Sequence, residues 1–370
     1  MNNLETELTT IKKLIFSFIA FFLLVITFFI IDYIYTNFFR VANTESDYRI
    51  RHEFYHHTLA KSFNGFDGWG PKSYQVCTDM SGFKSSCGKV NVLNKKFDIA
   101  FIGDSFTEGS GMLYEDTFVG IFADNHPKLK VANLGVASYN PTIYLAKIKY
   151  LLDQNYSFKH LYVFIDISDI QDESRYSVNS SGFVISDHQS IKADSRLISL
   201  RDFIFNNFKI FYFSVRKLKK SLQTLKAETQ NETDVFKLSR SEWTSNPNST
   251  AYGLLGIEGS IMQAEKNMEE LYRILNDRDI LLSIGVYPWP AQLLEIRDNK
   301  NKINRHVSIW KNFCEQRCSN FINLFPKYKD LITQNGVEDT YKKYFIAGDV
   351  HYNKAGYKLI SEAIIYNEDQ

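Results

Sequence analysis

Apolar residues in this chain fall into three kinds of run. From Leu14 to Ile31 eighteen residues pass without a charge, enough to cross a bilayer core as one helix. Five short runs, Phe97–Ile102, Lys130–Leu134, Leu161–Ile165, Ile280–Val286 and Phe321–Leu324, read as buried strands. Helix-spaced patterns lie between them at Tyr114–Asn125, Pro141–Asp153, Ile261–Asp277 and Lys302–Cys318, and Tyr357–Ile365 makes a final helix. Asn140-Pro141 is a strong helix start, a capping side chain followed by proline at the first helical position. Strand alternating with helix predicts an α/β fold of three layers, a mostly parallel sheet with helices on both faces.

Two segments break that rhythm. Residues 37–96 are polar, with turn signals over 64–71, and read as a juxtamembrane approach to a domain spanning 97–366. Residues 174–253, about 80 of them, are far longer than an ordinary connection. This insertion holds an aromatic and basic stretch, Asp202 to Lys220, then a polar one, Ser221 to Thr250. Either the aromatic stretch is a lid or membrane-surface contact, or it is a packed helix with a solvated basic face.

The long run changes the compartment. Lys12 and Lys13 precede it and Tyr33, Tyr35, Phe38 and Phe39 follow, which predicts a cytoplasmic N-terminus over 1–13 and a transmembrane anchor over 14–36. The remainder is then exported, periplasmic in a cell with two membranes, with the bilayer as its first partner. A cleaved signal peptide is the rival, and Val41-Ala42-Asn43 is the nearest approach to a cleavage site. On the oxidising side, Cys77 and Cys87 bracket a loop that a disulfide can close. Cys314 and Cys318 sit one helical turn apart, where pairing needs the helix to end; two packed thiols are the alternative. No histidine stands at ligand spacing beside either pair, so no metal site is expected. A net charge of +1 gives no footprint for nucleic acid.

Two short segments carry the chemistry. Gly103-Asp104-Ser105-Phe106-Thr107-Glu108-Gly109 places a serine just past the first strand, at the sheet end where α/β folds collect ligands. Asp349-Val350-His351-Tyr352-Asn353 adds a histidine and a carboxylate. Ser, His and Asp are what a hydroxyl needs to become a nucleophile, although an isolated serine there is as readily a helix N-cap.

Gly103 to Thr107 resembles block I of the SGNH (GDSL-type) hydrolases, and Asp349 to His351 their C-terminal block, followed by the Asn353-x-x-Gly356 spacing. Asn133-Leu134-Gly135-Val136-Ala137 resembles block II. The resemblance implies a flavodoxin-like sheet, Ser105 as nucleophile, His351 as general base, Asp349 as its orienting partner, and oxyanion donors from the backbone of Ser105 and Gly135. One block departs: where the family shows Gly-x-Asn-Asp, this chain has Asp166-Ile167-Ser168-Asp169. Ser168 stands in for an oxyanion amide, or Asn140 supplies it; the alternative is that Asp166 and Asp169 simply cap a turn. Asp104 and Trp289, the latter after the strand ending at Val286, are candidate substrate contacts, and Trp289 reads equally as part of a rigid turn.

The function expected is a membrane-anchored serine esterase without cofactor, acting on a glycan O-acyl group or a small ester. An O-acetyltransferase with the same triad is the alternative, and it needs a membrane partner to deliver acyl groups. A glycan-binding or assembly protein with a degenerate site is the third reading.

Overall fold

A computed structural model describes residues 2–39, 48–69, 72–88, 93–186, 235–246, 248–298 and 304–368, with single positions between 204 and 218. Contacts group the chain into two units, one of Met1–Ala42 with Lys192–Thr229, the other of Asn43–Ile191 with Gln230–Gln370.

In the first unit helix α1 (Asn2–Ile34) holds the apolar run, and Ile15–Asn37 is long and apolar enough to cross a membrane, with mean hydropathy 2.7. The Asp32 carboxylate accepts the backbone N–H groups of Ile210 (2.9 Å) and Phe211 (2.7 Å), while Phe29 packs its ring on Phe208 and Phe211. The described part of the aromatic stretch therefore packs on the apolar helix. The rest of the stretch, and the polar segment up to residue 234, lie outside the described residues.

The second unit opens with two hairpins, β1 (Arg49–His52) with β2 (His56–Leu59) and β3 (Asn64–Trp69) with β4 (Lys72–Cys77). The sheet follows: β5 (Lys96–Gly103), β6 (Val131–Asn133) and β7 (Ser157–Phe164), then after the hairpin β8 (Tyr176–Val178) with β9 (Val184–Ser186), strands β10 (Leu281–Val286) and β11 (Asn320–Asn323). All five sheet strands pair in parallel, in the order β6-β5-β7-β10-β11. That is the flavodoxin-like order, and the direction of winding reverses at β5.

The helices in chain order are α2 (Ser105–Glu108), α3 (Phe118–Asn125), α4 (Pro141–Asp153), α5 (Asp169–Glu173), α6 (Gly256–Asn276), α7 (Pro290–Asp298), α8 (Arg305–Cys314), α9 (Phe325–Tyr344) and α10 (Lys354–Glu368). One group packs α4 on α6, another α3 on α10, giving the two outer layers. Strand β5 is apolar and buried for nearly its whole length because helices cover both its faces. Helix α4 starts as its sequence demands: Asn140 Oδ1 accepts from Ile143 N at 3.0 Å, with Pro141 first in the helix.

The pairing Cys77–Cys87 is present, and so is Cys314–Cys318. The latter is possible because α8 stops at Cys314, four residues short of the helix expected through Cys318. Helix α9, absent from the expected elements, is interrupted at Gly336 (φ 80°), which explains the weak periodicity of its sequence.

Three helices meet at Glu173, which accepts from Thr142 N (3.1 Å), Thr142 Oγ1 (2.7 Å) and Asn267 Nδ2 (2.6 Å), tying α5 to α4 and α6. Burial pushes this carboxyl up to about 7 despite those donors, from an ordinary 4.5. Between these two values the folded chain binds a proton that the unfolded chain has lost, so this group's contribution to stability falls as pH rises through the window. Glu173→Gln, which cannot ionise, should gain stability relative to wild type from about pH 5 to 7, and the difference should level off above about 7. Urea unfolding at several pH values checks this; a difference constant across the range would show that Glu173 does not titrate with folding.

Candidate active site

The carboxyl end of β5 turns sharply into α2. Gly103 is required there, since a Cβ would lie 2.1 Å from Thr107 Oγ1 and 2.7 Å from Phe164 O. Asp104 caps the turn by accepting from Phe106 N at 2.9 Å, and Ser105 opens the helix. The Ser105 N–H is thus a first-turn amide without an intrahelical acceptor.

The loop between α9 and α10 brings the second segment to this serine across a separation of 246 residues. His351 Nε2 lies 2.8 Å from Ser105 Oγ, and His351 Nδ1 lies 2.5 Å from Asp349 Oδ1. Asp349 Oδ1 also accepts from His351 N at 2.9 Å, and Tyr341 OH accepts from Asp349 N at 3.0 Å. The imidazole stacks on Phe106 with centroids 4.5 Å apart. Asn353 Oδ1 accepts from Ala355 N and Gly356 N while its amide donates to Lys343 O and Phe345 O, which locks the loop to both flanking helices. With the carboxylate accepting at Nδ1, the neutral ring has a bare Nε2 facing the hydroxyl.

Ser105 Oγ has a second contact, donating to Asp104 Oδ2 at 3.1 Å. One hydroxyl has one hydrogen, so donation to His351 and to Asp104 are alternatives. Burial first, and then Asp166 beside it, hold the Asp104 carboxyl well above the usual range. The same causes, burial and then the charges of Asp166 and Asp104, raise Asp169. Asp104, Asp166 and Asp169 place oxygens within 4.8 Å of one another, the one group among the described residues with the spacing to hold a cation.

The two oxyanion proposals separate clearly. Ser168 donates its hydroxyl to Asp166 Oδ1 (2.7 Å), and its backbone N–H to the same oxygen (2.6 Å). Its one hydroxyl hydrogen is therefore directed at Asp166 in this arrangement. Asn140 is fully buried, its Oδ1 capping α4, and its Nδ2 has no partner among the described residues. A buried amide hydrogen left without an acceptor is costly, and a reacting oxygen is one way to satisfy it. Gly135 also differs from expectation. Its N–H already donates to Asn133 Oδ1 at 3.0 Å, and a Cβ there would lie 2.5 Å from Glu108 N. This glycine serves close packing of its loop on α2.

Trp289 is a second correction. It is 3% exposed, and its indole N–H donates to Asp166 Oδ2 at 3.0 Å. The ring therefore has no open face for a sugar. The Asp166 carboxylate takes Ser168 on one oxygen and Trp289 on the other.

Sequence reasoning missed Arg240, whose guanidinium pairs with Asp172 and lies 5.9 Å from the Trp289 ring, bringing the end of the insertion to the site. It also missed Glu108, buried one turn after the nucleophile. Nothing in the spacing around Arg240 flags it; an acidic residue at the close of a short apolar turn was the available signal for Glu108. A cavity of about 410 Å³ between the Cys77–Cys87 loop and edge strand β6 includes Lys84, Tyr114 and Asn133 and none of the triad.

No family model matches the chain, and no curated protein does either. Among solved structures the chain is similar to the acetylxylan esterase Axe2 from Geobacillus stearothermophilus (10% identity, 73% of this chain and 93% of that one, TM-score 0.42). It is also similar to a member of the lipolytic protein G-D-S-L family from Veillonella parvula (13% identity, 73% and 96%, TM-score 0.37). A third is LAE5, an alpha/beta hydrolase enzyme from the metagenome of Lake Arreo, Spain (11% identity, 74% and 95%, TM-score 0.41). At such scores the likeness decides nothing about chemistry, which has to come from the chain's own residues.

Trp289→Phe removes the donor to Asp166 and exchanges the indole for a smaller phenyl ring. The expected result is a loss of about 1–3 kcal/mol in unfolding free energy, with KM for a small ester unchanged. A raised KM at full stability would return Trp289 to the substrate surface.

Proposed function

We propose that this chain is an exported, membrane-anchored serine esterase of the SGNH type that removes O-acyl groups from an envelope or surface glycan. The observation that carries the reading is the hydrogen-bonded row Ser105–His351–Asp349, assembled from two ends of the chain. A binding module has no use for that row.

The chemistry runs in two halves. His351 Nε2 takes the proton from Ser105 Oγ as the oxygen attacks the ester carbonyl, and Asp349 steadies the imidazolium that forms. The Ser105 N–H is one oxyanion donor, and Asn140 Nδ2, without a partner among the described residues and buried in the closed protein, is the candidate for a second once a substrate opens its cover. His351 then gives its proton to the departing alcohol, leaving an acyl-serine. Water, deprotonated by the same nitrogen, attacks the acyl carbonyl and frees the acid and the serine. Asp104, carrying its own proton, adds no negative charge beside the developing oxyanion.

Support for a glycan ester is the exported setting implied by Lys12, Lys13 and the apolar helix, together with the resemblance to exported proteins of this type. If a sugar hydroxyl replaces water in the second half, the same residues perform transfer, and a membrane partner supplies the acyl group.

The test uses the full chain in detergent micelles. A fluorophosphonate probe should label wild type and spare Ser105→Ala; equal labelling of both would sink the triad. In p-nitrophenyl acetate turnover, Asn140→Ala should lose roughly 10²–10³ in kcat. Ser168→Ala should stay within about tenfold, because its hydroxyl serves Asp166. The opposite ranking would restore Ser168 to the oxyanion site. Adding an acetyl-free oligosaccharide distinguishes hydrolysis from transfer: acetylated sugar in place of acetate identifies a transferase. For topology, a reporter enzyme active only outside the cytoplasm and fused after Gln370 should be active; silence reverses the orientation.

A further inference from the structure

We propose that the segment Tyr48–His57, at the start of the second unit, positions the reaction: through Arg49 and His57 it fixes the loop 135–140 that carries the Asn140 amide. This rests on the reading of Ser105 and Asn140 given above and adds to it two positioning residues well ahead of the nucleophile in the chain.

The loop does not hold its own shape. Ser138 sits at φ 64°, a left-handed conformation that a serine adopts at a cost of order 1 kcal/mol and keeps only when its surroundings enforce it. The enforcement comes from both sides of Ala137. Its N–H donates to Glu108 Oε2 at 2.8 Å, and its carbonyl lies 2.8 Å from His57 Nε2. Tyr139 OH, one residue before Asn140, donates to the His57 carbonyl at 2.7 Å. From within the domain, Lys147 Nζ donates to Leu134 O (2.9 Å) and Tyr139 OH (3.2 Å).

Glu108 is itself aimed by the segment. Arg49 Nη2 reaches Glu108 Oε1 at 2.5 Å and Arg49 Nε reaches Oε2 at 3.2 Å, while Tyr48 OH lies 3.0 Å from Oε1 and its one hydrogen serves either that oxygen or Asp67. Arg49 Nη1 and Tyr48 OH both continue to Asp67, at 3.1 and 2.7 Å, which anchors the pair to β3. One planar guanidinium spans two carboxylates here, a task an ammonium cannot copy.

The tautomers follow from the acceptor. A carbonyl only accepts, so His57 Nε2 carries hydrogen, and in the neutral ring Nδ1 is bare. His56 Nδ1, 2.8 Å from His57 Nδ1, must then donate. Burial pushes the His57 imidazole down to about 4, which keeps it neutral and this chain of donors intact. His56 sits at φ 71° as the central residue of the turn closed by His57 N donating to Tyr55 O at 2.9 Å.

If the loop shifts, Asn140 moves with it, and a misplacement of about 1 Å at a reacting atom costs roughly 10²-fold. The experiment measures p-nitrophenyl acetate turnover by the full chain in micelles, for wild type, His57→Ala, His57→Gln and Arg49→Lys, with Ser105→Ala as blank. Hydrogen exchange of the 135–140 peptide is read beside that of β5. His57→Ala and Arg49→Lys should lower kcat about 10- to 100-fold with KM within about twofold, and speed exchange in the loop but not in β5. His57→Gln, whose amide can donate to the same carbonyl, should recover most of the rate. Three results would overturn the proposal: wild-type kcat in His57→Ala and Arg49→Lys, a His57→Gln variant as slow as His57→Ala, or exchange that rises equally in β5. Wild type no faster than Ser105→Ala removes the functional reading instead, and this inference with it.

Discussion

Glu108 bears more of the structure than any other single group. It closes the helical turn that begins with the nucleophile, it is fully buried, and it accepts from Tyr48, Arg49 and the Ala137 backbone. Burial alone would raise its carboxyl; the Arg49 charge and hydrogen bonds outweigh burial, and the group ends below its ordinary range. A carboxylate in that condition is tolerable only with its partners in place, since losing one leaves a buried charge unpaired. The first hairpin, the serine turn and the Asn140 loop are therefore bound to a common point and cannot adjust separately.

Charge beside the serine is handled differently. Asp104, Asp166, Asp169 and Asp172 are all buried near the end of β7. Among the described residues Asp172 has arginine partners, Arg175 and Arg240, while burial first and then the neighbouring Asp166 raise the carboxyls of Asp104 and Asp169. The Asp166 carboxylate takes up the Ser168 hydroxyl, while the Asn140 amide, beside its capping oxygen, is left without a partner among the described residues.

What could be read from the sequence follows from which signals are local. The five sheet strands were legible because both faces are covered, and their apolar runs are continuous. Helix α4 was legible from its cap and proline. The hairpins over 49–77 were not, because their short strands mix polar and apolar residues around a network centred on Asp67 and Glu108, whose partners are distant in sequence. At the site, Ser105, Asp349 and His351 stood out as residue types in order, whereas the roles of Ser168, Gly135 and Trp289 depended on which hydrogen-bond partner each had already taken. Spacing conveys proximity along the chain; it does not convey whether a donor is spent.

The 246 residues between Ser105 and His351 also set when the site comes into being. The nucleophile turn needs only β5 and its neighbours, but the base arrives with the loop that precedes the last helix, after the entire sheet has been ordered. Contacts of such separation are among the last to form, since the loop they close is entropically the most expensive. A chain that has not yet completed the fold thus holds Ser105 without His351 beside it, and the hydrogen-bonded row closes only with the last elements of the domain.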